Sequence, residues 1–292
     1  MQTNKFGILA ALGAYVSWGF LPLYWHLLAE AEAYEILANR ITWTAVFMLG
    51  VIVLSGRWPV LRDDLRALRQ NMARLGLLLA ATLIISINWL VYIWAVNHQH
   101  VIDTSIGYYI NPLVNVLLGI VCFHERLTRA KWLSVALAAC GILFMTWELG
   151  TVPWVALVLA VSFAAYGAVK KKLAINPFSG IMLETVLLLP VAVPYLLYLA
   201  QTGAGHFTTA RPDLMLIFLG GGALTGTPLV LFSYGANLLP LNVLGFFQYI
   251  SPTLGLLLGV FFFGEPLDLA TTVALACIWT GVVIFTVAER KG

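Results

Sequence analysis

The chain has 292 residues, of which 61% are hydrophobic and only 10% are charged, and its mean hydropathy is +0.92. This composition excludes a soluble globular domain. The net charge of +3, with no basic face that carries interleaved aromatic residues, argues against nucleic acid as a partner. The sequence therefore predicts an all-α protein embedded in a lipid bilayer.

Apolar runs long enough to cross a bilayer recur along the whole chain. A hydrocarbon core of about 30 Å requires roughly 20 apolar residues in a helix. The first run is too long and too rich in Trp, Tyr and Pro for a cleaved signal peptide, so we count it as a span. The ten predicted spans are Phe6–Leu28, Glu35–Leu54, Ala73–Val96, Val101–Phe123, Ala130–Trp147, Val152–Val169, Gly180–Ala200, Leu214–Gly235, Leu241–Phe263 and Leu267–Ala288.

The positions of Lys and Arg predict the orientation of these spans. If the N-terminus is cytoplasmic, fourteen of the sixteen basic residues fall on the cytoplasmic side, which includes the lysines at 170–172. Only Arg211 then falls in an outer loop, and Arg40 falls within a span. We therefore expect a multi-pass membrane protein with both termini cytoplasmic. The longest inner loop, 58–72, has leucines at helical spacing opposite arginines and predicts an amphipathic helix at the membrane surface.

The sequence contains an internal repeat. "YINPLVNVLLG", from Tyr109 to Gly119, returns 140 residues later as "YISPTLGLLLG", from Tyr249 to Gly259. The repeat divides the chain into five-span halves, residues 1–149 and 150–292, and an odd number of spans per half inverts the second half in the membrane. Inverted repeats of this kind are typical of transporters that open one central site to either side in turn.

Prolines occur inside several of the predicted spans. A proline removes one helix hydrogen bond, and the freed carbonyl group must find another partner inside the protein or in trapped water. Two interpretations are open: kinked helices that border a polar cavity, or kinks that serve packing alone. The candidate kinks are Pro22, Pro112, Pro228 and Pro252.

Polar and aromatic residues share helical faces in the same spans. On the fourth span Tyr108, Asn111 and Asn115 follow one another at steps of three and four, so they lie on one face. Such residues suit an aromatic, amphipathic or amino-acid-like small molecule, although packing and interfacial positions are alternatives for each ring. The candidate substrate-binding residues are Trp18, Asn88, Trp89, Tyr92, Tyr108, Tyr109, Asn111, Asn115, Tyr166, Gln248, Tyr249 and Ser251.

Ionisable residues within the spans are candidates for charge recognition or ion coupling. Such a charge costs at least about 2.5 to 3.5 kcal/mol at the bilayer centre unless it is paired or hydrated. Arg40 is a candidate to bind an anionic group or, alternatively, to hold Glu35 or exposed helix carbonyl groups. Glu184 is a candidate for proton coupling or for snorkelling to the surface. Lys170, directly after the sixth span, and Asp103, at the outer mouth, complete the set. Two histidines beside Asp103, at positions 98 and 100, lack further ligands for a metal site.

Several stretches resemble the RarD subgroup of the EamA-type drug/metabolite transporter superfamily. They are "YVSWGFLPLYW", "EILANRITWT", "NWLVYIWAVN" and "GYYINPLVNVLLGIVCFHERLTRAKW", and Asn39 stands where the subgroup usually has histidine. The resemblance implies ten helices in two inverted halves, a central cavity, and export of small metabolites or drugs from a bacterial inner membrane.

Together these features predict a secondary transporter that works by alternating access, with a channel or a non-transporting membrane scaffold as the alternative. No catalytic, nucleotide-binding or metal-binding motif is present, so we expect neither an enzyme nor a bound cofactor. The expected partners are a small-molecule substrate, the lipid bilayer and, as a coupling ion, the proton.

Overall fold

In the computed structural model, residues 4–28, 30–97, 101–148, 150, 154–262 and 269–291 are described, and the regular structure among them is entirely helical. These residues form twelve helices: α1 Lys5–His26, α2 Ala33–Leu54, α3 Trp58–Gln70, α4 Met72–Asn97, α5 Val101–Phe123, α6 Arg129–Glu148, α7 Trp154–Leu173, α8 Pro177–Thr202, α9 Pro212–Leu238, α10 Leu241–Gln248, α11 Ile250–Phe261 and α12 Leu269–Lys291.

Seven of the described helices, α1, α2, α4, α6, α7, α8 and α9, are long and apolar enough to cross a membrane. Shorter apolar stretches lie at Gly107–Phe123 and Thr272–Ala288. Side chains at the helix ends explain some of the boundaries. Asn4 accepts hydrogen bonds from the backbone N–H groups of Phe6 and Gly7 at the start of α1, and α8 ends at Gly203, whose φ of 69° favours glycine.

Most helix bounds lie within a few residues of the predicted spans, but two of the spans differ more from the structure. The ninth predicted span is two helices, α10 and α11, which meet at Tyr249, so that Pro252 lies in the first turn of α11, where a proline costs no hydrogen bond within the helix. Pro112, by contrast, lies within one uninterrupted helix.

Helix α7 continues to Leu173, beyond the predicted end at Val169, and the three lysines at 170–172 are therefore helical. Helix α3 confirms the predicted amphipathic segment, although Met72 belongs to α4.

Packing contacts define the direction of the helices. Gly7 of α1 lies against Leu238 at the end of α9, and Gly220 lies against Tyr24, so α1 and α9 are antiparallel. We call the end of the bundle at which α1 begins and α9 ends the terminal face, and the end at which α1 ends and α2 begins the opposite face.

Helices α6 and α12 pack antiparallel through two reciprocal contacts. A Cβ atom at Gly141 would lie 2.9 Å from the carbonyl oxygen of Ala274, and one at Gly281 would lie 2.8 Å from that of Ser134. The sequence repeat of 140 residues relates Gly141 to Gly281 and Ser134 to Ala274. Each contact is therefore the counterpart of the other, as in an interface with two-fold symmetry. Helices α5 and α10 are also antiparallel, because Gly245 lies against Pro112 and Asn242 lies near Gly119.

Candidate functional site

Arg40 lies in α2 about 10 Å along the helix axis from its first residue, Ala33, on the side of the opposite face. Its Nε donates a hydrogen bond of 3.2 Å to Thr225 Oγ1 on α9. The guanidinium carbon stands 4.7 Å from the ring centroid of Trp25 and 5.7 Å from that of Trp89. No ion pair joins Arg40 to a carboxylate among the residues whose side chains are described.

Two tyrosines extend this group. The rings of Tyr92 on α4 and Tyr108 on α5 have centroids 6.1 Å apart, and both tyrosines lie within electrostatic range of Arg40. Cation–π contacts contribute about 0.5 to 2 kcal/mol each, which is of the same order as the cost of an arginine within the bilayer. We name this group of six residues the arginine–aromatic site: Trp25, Arg40, Trp89, Tyr92, Tyr108 and Thr225.

Glu35, which the sequence analysis considered as a partner of Arg40, instead contacts His206. Its Oε1 accepts a hydrogen bond of 2.6 Å from the backbone N–H of His206, and its Oε2 lies 2.8 Å from His206 Nδ1. Glu35 therefore holds the 205–207 segment at the opposite face, and no described contact joins it to Arg40. A local scan of the sequence could not find His206, because 171 residues separate it from Glu35.

A second charged group is fully enclosed. Glu184 on α8 accepts a hydrogen bond of 2.8 Å from the Tyr166 hydroxyl, and its other carboxylate oxygen lies 2.7 Å from Lys170 Nζ. All three residues are buried. The structure thus brings together three residues that were predicted separately as candidates. Helix α7 extends beyond its predicted end at Val169 and carries the Lys170 side chain into the bundle, where Glu184 compensates its charge.

The polar face of α5 makes a hydrogen-bonded network. Asn111 donates to the carbonyl oxygen of Ala160 on α7, and Asn115 donates to Asn111 Oδ1 at 2.9 Å and to Gln248 Oε1 at 3.0 Å. All three polar side chains are buried. Asn88 makes a similar link from α4 to α7, through Ser162 Oγ at 2.9 Å. These residues therefore join helices within the bundle and do not face lipid.

An aromatic cluster surrounds Trp18. Its ring centroid lies 5.6 Å from those of Phe163 and Phe232, and Tyr166 stacks on Phe232 at 6.0 Å. This cluster places α1, α7 and α9 in contact beside the buried Glu184 carboxylate.

The repeated tyrosines meet inside the bundle. Tyr109 and Tyr249 are buried and close enough to interact electrostatically. The Tyr249 hydroxyl is buried without a hydrogen-bond partner among the described groups. Ser251 is the second residue of α11.

The predicted cluster of Asp103 and the two histidines cannot be located. The residues 98–100, with both histidines, lie outside the described residues, and the same holds for the Asp103 side chain. Within the described part of the chain, no group of three His, Cys, Asp or Glu side chains could hold a metal ion.

Glu125 has a role that sequence reasoning missed. Glu125 caps the start of α10 at the terminal face. Its carboxylate accepts hydrogen bonds from the backbone N–H groups of Leu241 at 2.6 Å and Asn242 at 2.9 Å. Lys171 Nζ lies 3.4 Å from Glu125 and donates to the Leu239 carbonyl oxygen at 2.6 Å. The only signal in the sequence was the repetition of this glutamate 140 residues later, at position 265.

We expect replacement of Glu125 by alanine to lower the free energy of unfolding by about 1 to 2 kcal/mol, because the first N–H groups of α10 lose their acceptor. Thermal melting of the purified protein in detergent measures the loss. Glu148→Ala is the control, since Glu148 is exposed at the end of α6. Equal melting temperatures for the two variants would contradict the role of Glu125.

These helices define an all-helical, multi-pass membrane protein, and comparisons with known proteins agree. The model of the EamA-like transporter family matches residues 5–147 and again residues 151–287. An uncharacterized transporter of Bacillus subtilis, YojE, is 42% identical and covers 99% of this chain and 96% of its own length. Protein RarD of Escherichia coli is also 42% identical, over 97% of this chain and 94% of its own length. A protein of known crystal structure, at 18% identity, superposes with a TM-score of 0.75 and covers 99% of both chains.

The chain belongs to the EamA-like transporter family, and its similarity to RarD proteins extends over nearly its whole length. The expected resemblance is confirmed. The protein is therefore a membrane transporter of the RarD type.

Proposed function

We propose that this protein is a secondary transporter that moves a small organic molecule across a bacterial inner membrane by alternating access, in the direction of export. Its ten membrane crossings form two inverted halves, residues 1–149 and 150–292, and both termini are cytoplasmic. The terminal face is then the cytoplasmic face, in agreement with the excess of Lys and Arg there.

The observation that carries this proposal is the reciprocal packing of α6 and α12. Helices that correspond in the sequence repeat run in opposite directions, and the contacts of Gly141 and Gly281 exchange under the same relation. The antiparallel α5 and α10 and the two matches of the family model support the same division. Two such halves can exchange conformations, so that a site between them opens to each side in turn.

The proton is the coupling ion that the buried charges favour. Glu184 and Lys170 form an enclosed pair next to the aromatic cluster around Trp18, where α1, α7 and α9 meet. A carboxylate that loses its lysine partner during a conformational change would gain a proton, because an uncompensated charge is costly in such surroundings. Transport would then couple to the proton gradient through Glu184.

Counterflow in proteoliposomes tests the proposal. Vesicles are loaded with one unlabelled compound from a panel of amino acids, aromatic carboxylates, amines and chloramphenicol, and a trace of the same labelled compound is added outside. We expect transient accumulation of label above equilibrium and saturation with concentration for at least one compound, because a carrier exchanges its substrate. A channel would equilibrate the label without an overshoot, and a scaffold would move none. Either result would reject alternating access.

A further inference from the structure

Several features of the arginine–aromatic site distinguish it from a purely structural contact. Thr225 accepts a hydrogen bond from Nε, which leaves the two terminal nitrogens of Arg40 with no described acceptor. A guanidinium carries five N–H donors, and four of them are on these terminal nitrogens. Its usual protein partner within a membrane is a carboxylate, yet among the described side chains the two buried glutamates of the neighbouring helices α2 and α8 are engaged elsewhere: Glu35 with His206, and Glu184 with Lys170.

Part of the arginine–aromatic site is also accessible. Arg40 and its four aromatic neighbours are half-buried, whereas Thr225 and the three residues Glu184, Lys170 and Tyr166 are buried. The charged and aromatic members of the site thus retain surface that a small molecule can touch. Four different helices, α1, α2, α4 and α5, contribute its charged and aromatic side chains, and Thr225 comes from α9 of the second half.

The guanidinium and the aromatic rings of the site indicate which kind of molecule it would bind. The two terminal nitrogens of a guanidinium form a fork that matches the two oxygens of a carboxylate or phosphate group. The indoles of Trp25 and Trp89 and the phenols of Tyr92 and Tyr108 offer ring faces for an aromatic body, and their hydroxyl and N–H groups add hydrogen bonds.

We infer that Arg40 is the anion-recognition residue of this transporter, and that its substrate carries a carboxylate or phosphate group on a small aromatic body. This inference rests on the proposed transport function and specifies the substrate class. The guanidinium binds the anionic group, Thr225 holds Nε in place, and the aromatic side chains stack on the rest of the molecule.

Calorimetric titration of the purified protein in detergent tests the inference with four probes that share one ring. Phenylacetate and phenyl phosphate are the anions, phenylacetamide is neutral and phenethylamine is a cation. We expect at least one anion to bind at least about tenfold more tightly than the amide and the amine, because charge-assisted hydrogen bonds to the guanidinium are lost in the other two.

Substitutions then locate the binding. Arg40→Gln should weaken binding of that anion at least about tenfold, and Arg40→Lys should weaken it less, because lysine keeps the charge but lacks the fork. The matched control is Arg57→Gln: Arg57 lies over the ring of Phe178 with 4.6 Å to the centroid, but at the terminal face. Near-native affinity in Arg57→Gln is the expected result. If Arg40→Gln does not fold, Arg40→Lys alone decides, since unchanged affinity in that variant argues against a bidentate contact.

The inference is overturned if neither anion binds the wild-type protein, if the amide or the amine binds as tightly, or if both Arg40 variants bind the anion as the wild type does. Each of these results leaves the counterflow experiment able to support transport of another compound. Absence of counterflow with every compound would instead reject the proposed function, whichever probe binds Arg40.

Discussion

Replacement of Gly222 by leucine is expected to prevent stable folding. Gly222 lies on α9 where it crosses α2, and a Cβ atom there would stand 2.4 Å from the backbone carbonyl carbon and oxygen of Trp43 and 2.9 Å from the nitrogen of Thr44. These are backbone atoms of a packed helix, so relief requires α2 and α9 to separate. Thr44 Oγ1 also donates to the Gly222 carbonyl oxygen at 3.3 Å, and separation would break this hydrogen bond.

The expected loss is about 1 to 3 kcal/mol for Gly222→Ala, the usual range for overpacking, and more for leucine. The yield of monodisperse protein and its melting temperature in detergent measure it. Gly50→Leu is the control, because a Cβ at Gly50 on α2 meets no atom within 4 Å. Native-like melting of Gly222→Leu would show that α2 and α9 do not pack as described.

The crossing at Gly222 illustrates which parts of the fold the sequence predicts. The length of each apolar run predicts a helix, because only a helix satisfies every backbone hydrogen bond within lipid. The spacing of Gly222 and Gly226 predicts a close approach of two helices. It does not identify α2 as the partner, because periodicity defines a face of a helix but not the helix that covers it.

Within the candidate site, too, the sequence identifies an important residue but not its partner, and Arg40 is an example. Its position in an apolar run indicates a special role, since an unpaired charge there is costly. Its partner Thr225 is 185 residues away and has no local signature. Lys170 shows the same limit. Its spacing predicts a shared helix face with Tyr166, but only the tertiary contact with Glu184 explains why the first of three consecutive lysines is buried.

The second large loss of stability is expected when the ion pair between Lys170 and Glu184 is broken. Lys170→Met would leave the Glu184 carboxylate enclosed with Tyr166 as its remaining partner. Removal of one member of a buried ion pair costs about 3 to 5 kcal/mol, because the other charge has lost its compensation. We therefore expect Lys170→Met to lower the melting temperature sharply. The control is Glu30→Gln, which breaks the exposed pair with Arg211, and such pairs contribute about 0 to 1 kcal/mol.

A double variant separates stability from coupling. Lys170→Met combined with Glu184→Gln removes both charges, and much of the lost stability should return, because no uncompensated charge remains. If Glu184 carries the coupled proton, this variant should still exchange substrate in counterflow, where no proton gradient acts. It should not accumulate substrate against a gradient when a pH difference is imposed. Normal pH-driven accumulation by the folded double variant would assign the pair a purely structural role, and proton coupling would then have to reside in another titratable group.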